Sequence, residues 1–272
     1  MERTVLLFAA MAAALAVGQS AAHADKLDDI ISSGKLRCAV TLDFPPMGFR
    51  DQNNTPIGFD VDTCDDLAKA LGVTPQVVDT PFPDRIPAIV SGRADVAVAS
   101  TSDTLERAKT VGFSIPYFAF QTIVISHKGS GISSYESLKG HKVGAVAGTY
   151  EALALEKDVK GWGDPKGSFR SYQTQNDVWL ALNEGLIEGT VLANAGAVAA
   201  VKSGKFPQLE LGGNCPYPID FVGIATLREE YGLLNYLNLF VHQQTRSGRA
   251  QALYDKWLGG KMPDLTVPGV YR

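Results

Sequence analysis

Cysteine and tryptophan each occur only three times in 272 residues, and histidine four times. With no C-x-x-C pair and no Cys/His cluster, zinc-type spacing is excluded and no metal is expected. No phosphate loop and no Ser/His/Asp set in local order is present, so neither a cofactor nor a catalytic constellation is expected. A surplus of positive charge is lacking as well. Lys+Arg number 25 against 29 Asp+Glu, a net −4, which leaves no electrostatic footprint for nucleic acid. After residue 17 no apolar run approaches the roughly 20 residues that cross a bilayer. Repeat arrays and low-complexity tracts are missing too.

What is there is ordinary globular composition, 45% hydrophobic and 20% charged. At roughly 100–200 residues per domain, the length allows one large domain or two smaller lobes. The first 24 residues place Arg3 before an apolar run from Val5 to Val17, then small residues ending Ala22-His23-Ala24. That order is a secretory leader with cleavage expected after Ala24. The residue after the cut is Asp25 and not Cys, so no lipid tether is expected, and with no later segment of membrane-spanning length a soluble exported chain is expected. Export permits disulfides, and three cysteines allow at most one internal bridge. Cys38–Cys64 and a set of buried free thiols remain alternatives, with Cys215 in the Gly/Pro-rich GGNCPYP.

The remaining chain alternates strand and helix patterns. Leu36–Thr41 reads as a strand, FPPMGF as a turn, and Val61–Leu71 as an amphipathic helix stopped by Gly72. A strand at Val73–Val78, a short helix at Asp84–Ser91 and a buried strand at Val96–Ala99 follow. The rhythm restarts with Lys142–Ala147, a helix from Thr149, a strand at Ser168–Tyr172, a helix at Asn176–Asn183 and a strand at Thr190–Ala193. SGRADVAV (91–98) is echoed by EGLIEGTV (184–191): helix end, Gly, two residues, an acid, a buried strand. Two similar βαβ lobes account for that echo. A strand at Phe221–Thr226 and helices at Tyr231–Gln244 and Ala250–Leu258 close the chain. If that strand rejoins the first sheet, the chain crosses between lobes twice, near Gln121–Ser126 and Pro216–Gly223. Two crossings make a hinge, and a hinge makes a cleft.

Five segments carry a resemblance: GKLRCAVTLDFPPMGF (34–49), IGFDVDTCDDLAKALG (57–72), RIPAIVSGRADVAVASTSDTLERAKTVGFSIPYF (85–118), SLKGHKVGAVAGTYEA (137–152) and FVGIATLRE (221–229). Together they resemble the periplasmic solute-binding proteins of polar-amino-acid ABC transporters, the extracellular solute-binding protein family 3. The resemblance implies an α/β, type II periplasmic-binding-protein fold with two βαβ lobes on a two-strand hinge. Lobe 1 would be residues 25–121 plus 217–272, and lobe 2 residues 122–216. It also implies a monomeric, non-catalytic periplasmic receptor that delivers a small amino acid or carboxylate to an inner-membrane permease.

Residue by residue, Arg107 falls where the family clamps the ligand carboxylate, for which a guanidinium fork is suited. Ser100, Thr101 and Ser102 fall where it holds the carboxylate and amino groups. Thr149 and Tyr150 follow Gly148 at a helix N-terminus whose free N–H groups would seat the same anion. Phe44 and Phe82 match positions over the ligand side chain. Arg85 is either a ligand arginine or a solvated helix charge. The family's aspartate for the ligand ammonium falls at Ala193, which accepts nothing. Three readings stay open there: Asn194 replaces it, Asp43 or Asp220 takes over, or the ligand has no α-amino group. Two alternatives of other classes remain. One is a cyclohexadienyl-dehydratase-type enzyme on the same fold, with Glu151 or Asp220 as proton donor. The other is a sensor or partner protein with altered ligand chemistry. Otherwise Glu151 is a first-turn carboxylate favoured by the helix dipole.

Overall fold

The computed structural model describes residues 25–265. The expected leader 1–24, its cleavage point and residues 266–272 lie outside the described residues. The chain opens with α1 (Lys26–Ser33), β1 (Lys35–Val40) and a small antiparallel sheet of β2 (Asp43–Phe44), β3 (Gly48–Arg50) and β4 (Pro56–Ile57). There follow α2 (Phe59–Leu71), β5 (Thr74–Asp79), α3 (Arg85–Val90), β6 (Val96–Ser102), β7 (Val111–Phe113) and β8 (Phe118–Phe120). Next come β9 (Thr122–His127), β10 (Lys142–Val146), α4 (Tyr150–Trp162), β11 (Ser168–Tyr172), α5 (Gln175–Asn183), β12 (Gly189–Ala193), α6 (Asn194–Lys202) and β13 (Leu209–Asn214). β14 (Asp220–Leu227), α7 (Tyr231–Arg246) and α8 (Arg249–Trp257) end the described chain.

These strands form two larger sheets of matching topology. The first is ordered β5-β1-β6-β14-β7, with β8 also on β14, and the second β11-β10-β12-β9-β13. In each sheet three parallel strands are joined by helical crossovers and flanked by one antiparallel strand, β14 in the first sheet and β9 in the second. The chain leaves the first sheet between Phe120 and Thr122 and returns between Asn214 and Asp220. The two crossings lie side by side: the Cys215 amide donates to Thr122 O at 2.8 Å, and Gln121 Nε2 donates to Cys215 O at 3.3 Å.

The sequence echo has a structural cause. The Asp95 amide donates to Arg37 O at 2.8 Å while Asp95 Oδ2 accepts from the Arg37 amide at 2.9 Å. Glu188 repeats both bonds with Lys142, at 2.7 and 2.9 Å. In each lobe the acid after the glycine thus pins the entering strand beside the first one.

Several boundaries move for physical reasons. α2 starts at Phe59 rather than Val61, because Gly58 turns the chain at φ 134, where any side chain would overlap the Met47 carbonyl. This puts Asp60 in its first turn. β6 runs to Ser102, so Ser100, Thr101 and Ser102 lie within the strand instead of following it, paired alongside β14. The three-residue strands β7 and β8, the six-residue β13 and the small sheet add to the elements that the sequence pattern predicts. Cys38 and Cys64 form the disulfide, and Cys215 is the buried free thiol among the described residues.

Candidate functional site

Between the lobes lies a narrow pocket. From the first lobe it is lined by Phe44, Phe82, Arg85, Ser100 and Ser102, and from the second by Thr149, Tyr150, Glu151 and Ala193. Asp220, the first residue of the returning strand, completes it with Phe120.

The floor is β6. Side chains alternate along a strand, so Ser100 and Ser102 share the cleft face. Thr101 points the other way, fully buried, with its hydroxyl 3.5 Å from Ala99 O. Ser102 Oγ donates to Asp220 Oδ2 at 3.0 Å. Ser100 sits at φ 49, a left-handed conformation that costs a non-glycine residue about 1 kcal/mol. A buried network holds it there. Its Oγ donates to Asp60 Oδ2 at 2.9 Å, its amide donates to Tyr117 Oη at 3.0 Å, and that hydroxyl donates to Asp60 Oδ1 at 2.8 Å. Burial pushes Asp60 up to about 7, against the pull of the Tyr117 and Ser100 bonds.

Arg85 is not a solvated helix charge. It is 2% exposed, with Nε donating to Phe82 O, Nη1 to Ala99 O and Ser100 O, and Nη2 across the cleft to Gly148 O at 2.8 Å. Its guanidinium carbon lies 4.7 Å from the Phe82 ring centroid. Arg107, half-buried in a short 3₁₀ turn, donates to Ser102 O at 3.0 Å and to the same Gly148 O at 2.6 Å. Burial, then the neighbouring Arg107 charge, lowers Arg85 to about 9, and burial lowers Arg107 as well.

Two carboxyls face this pair. Burial, then the Glu151 charge, pushes Asp220 up to about 7, with Ser102 and the arginines pulling it back. Glu151 is 7% exposed in the first turn of α4, and burial raises it too. Two guanidiniums near two carboxyls that burial shifts upward suit a zwitterion: an anionic group on the forks, a cationic group on the acids.

Other expected residues fall in different places. Thr149 lines the cavity, but its hydroxyl already accepts from the Ala152 amide as the α4 cap and donates to Val146 O. Asn194 is exposed, and its Oδ1 accepts from the Ala195 amide, so it is not brought into the cleft. Asp43 Oδ2 accepts from the Gln175 amide at 2.7 Å, joining the lobes outside the cleft. Phe44 and Phe82 are both buried and cleft-lining, in T-shaped contact at 5.3 Å. Tyr150 lies edge-on to Tyr217, 6.2 Å between centroids. From the sequence, Glu151 is either a proton donor or a dipole-favoured carboxylate, and its burial against the other lobe is not readable there; Asp60 lies just outside the helix expected from Val61, and nothing in the sequence points to it. The signal for Glu151 was its place one residue past Tyr150, in the turn that meets the other lobe. No group of three His, Cys, Asp or Glu among the described residues could hold a metal.

Comparison with known proteins agrees with this geometry. The chain is 28% identical over 258 residues to the L-cystine-binding protein TcyJ of Escherichia coli (strain K12), covering 93% of this chain and 94% of that protein. It superposes on an ancestral arginine-binding protein bound to arginine with a TM-score of 0.78 and 32% identity, covering 83% of this chain and 99% of that one. A cyclohexadienyl dehydratase of Pseudomonas aeruginosa is 39% identical over 105 residues, which is 39% of each chain. The fold is the two-lobed type II periplasmic-binding-protein fold. Residues 36–260 match one family throughout, and the chain belongs to the bacterial extracellular solute-binding proteins, family 3.

Proposed function

We propose that this protein is the periplasmic receptor of an ABC uptake system, closing around a small amino acid or amino-acid-like carboxylate. One observation carries the reading: the Arg85 guanidinium and the buried carboxyls of Glu151 and Asp220, from both lobes, line one interlobe pocket, and Arg107 stands beside it on the same Gly148 carbonyl as Arg85. Arg85 and Arg107 take the ligand carboxylate. With Ala193 where the family keeps an aspartate, Asp220 and Glu151 take the ammonium. Phe44 and Phe82 cover the side chain, and Ser100 and Ser102 line the floor. The lobes are residues 25–121 with 217–272, and 122–216, a division supported by the sheet membership of each strand. The leader is removed after Ala24, and the closed monomer docks on an inner-membrane permease. Relatives matched over most of the chain are named as binding proteins.

The test is to release any bound molecule by denaturation, identify it by mass spectrometry, and titrate the refolded protein with amino acids and their deaminated counterparts. Saturable binding of an amino acid, weakened by Asp220→Ala and Glu151→Gln, is expected. Binding only of deaminated acids refutes the ammonium assignment. A dehydratase reading has the buried Glu151 in its favour, and product accumulation from a cyclohexadienyl acid during the titration is the result that would establish it.

A further inference from the structure

Asp60 is a carboxyl buried where its helix does not need it. In the first turn of α2 an exposed acid would already suit the helix dipole. Asp60 is instead 1% exposed, and burying a charge is costly unless other groups hold it. Ser100 and Tyr117 hold it, and through them it meets an irregularity in β6. Between the pairs Thr101–Gly223 and Ala97–Ala225, β6 advances four residues while β14 advances two. Val98 to Ser100 thus bulge from the ladder with β14, and Ser100 sits at φ 49. Along a regular strand successive carbonyls point to opposite edges. Here the carbonyls of Ala99 and Ser100 both accept from Nη1 of Arg85, at 2.9 and 2.7 Å. The left-handed backbone at Ser100 turns these neighbours onto one nitrogen. Behind the bulge, the Ser100 amide is given to Tyr117 Oη and its hydroxyl to Asp60, and the Tyr117 hydroxyl goes to the same carboxyl.

We propose that Asp60 and Tyr117 are positioning residues for the ligand carboxylate, acting through the Ser100 bulge on the Arg85 guanidinium. Both are buried and stand outside the interlobe pocket, so neither touches what enters it. They grip the bulge from behind while Arg85 reads its carbonyls from the front. Left-handed backbone is strained for serine, so the bulge keeps its shape only while both anchors hold. Without them Ser100 relaxes toward extended backbone, its carbonyl turns away, and the Arg85 fork loses a partner that fixes it. Bulges beside functional sites re-aim groups in this way. This role in binding rests on Arg85 taking the carboxylate, as proposed above; the placement of Arg85 by Ser100 lies within one lobe and needs no ligand.

Tyr117→Phe removes one hydroxyl and keeps the ring, so the core of the lobe stays packed. Heteronuclear NMR of arginine side chains in the ligand-free mature chain, with Arg85→Lys assigning the signal, reads exchange of the Arg85 Nε–H with water. That exchange is expected to quicken about tenfold in Tyr117→Phe and in Asp60→Asn, the usual worth of one buried hydrogen bond. Calorimetric titration with the standard L-amino acids gives a second reading, the tightest binder of the unaltered protein serving as probe. Its affinity is expected to fall about tenfold in either variant. Glycine adopts left-handed backbone unaided, so in a Ser100→Gly background Tyr117→Phe is expected to cost less than about threefold. A loss of equal size in both backgrounds, or Arg85 exchange unchanged by Tyr117→Phe, would overturn the proposal. Quickened exchange in the variants of a protein that binds no amino acid supports the positioning role and refutes the receptor reading instead.

Discussion

Replacing Gly196 by alanine sets two effects of opposite sign against each other. Gly196 lies inside α6, where alanine is the better helix former by about 0.5–1 kcal/mol. On local grounds the second lobe gains stability. A Cβ at this position, however, sits 3.0 Å from Phe44 Cδ2 and closer still to Cε2, across the interface between lobes. The ring cannot simply retreat, since it is wedged against Phe82 at 5.3 Å and Phe120 at 6.0 Å. Overpacking of this kind costs about 1–3 kcal/mol, and the cost exists only when the lobes are together. At about 1.4 kcal/mol per decade, ligand affinity is expected to fall about 5- to 150-fold while the unfolding midpoint holds or rises. Calorimetric titration with the cleft ligand and differential scanning calorimetry read the two effects separately. A variant with higher Tm and unchanged affinity would refute the view that Phe44 on Gly196 is a contact of the closed state.

Further outcomes follow from the same geometry. Arg107→Ala is expected to weaken carboxylate binding by about 30-fold or more, as loss of a charge-assisted fork does, with little change in Tm. Arg85→Leu is expected to destabilise by about 2–4 kcal/mol in denaturant titration, because it strands the buried carbonyls of Phe82, Ala99 and Ser100. Asp60 and Asp220 titrate near 7 in the fold, above their ordinary 3.8. Their contribution to stability is therefore full below about pH 4 and lost as pH rises through about 7. Tm is expected to decline from pH 5 to 8, and less steeply in Asp60→Asn. An ammonium ligand that restores ionisation of Asp220 is expected to release close to one proton at pH 6 and almost none above pH 8, as read by calorimetry in buffers of different ionisation enthalpy. Removing the Cys38–Cys64 bridge, which spans 26 residues, is expected to cost about 3–4 kcal/mol in a denaturant titration of the double alanine variant.

Much of the fold was legible because local chemistry and tertiary role coincide. Gly72 ends α2 in the left-handed conformation that its position promised. The Asp95 and Glu188 echo marked two equivalent strand entries, and those residues make the same pair of bonds in each lobe. The returning strand β14 was readable from Phe221–Thr226, and with it the double crossing. Strands of three residues such as β7 and β8 left no periodicity to read, since their pairing is decided by β14, about 100 residues away. Of the residues that the resemblance singles out, Ser100, Ser102, Phe44 and Phe82 line the interlobe pocket and Arg107 stands beside it. Thr101 was not separable from its neighbours until β6 extended through it and turned it away. The burial of Arg85 and Glu151 depends on the opposite lobe, and nothing in a neighbouring residue announces such a meeting.

The carbonyl of Gly148 has a thermodynamic consequence for whatever enters the cleft. Both arginines converge on that one oxygen of the opposite lobe, and within their own lobe Arg85 is held by the Phe82, Ala99 and Ser100 carbonyls and Arg107 by that of Ser102, so their long side chains are ordered before an anion arrives. Each arginine carries about 2 kcal/mol of rotamer freedom, and an incoming carboxylate has none of it to freeze. It exchanges a neutral acceptor for a charged one at donors already in place. The enthalpic gain of that exchange is modest, and the preserved entropy lets a molecule of few atoms bind by contacts too few to order two free guanidiniums.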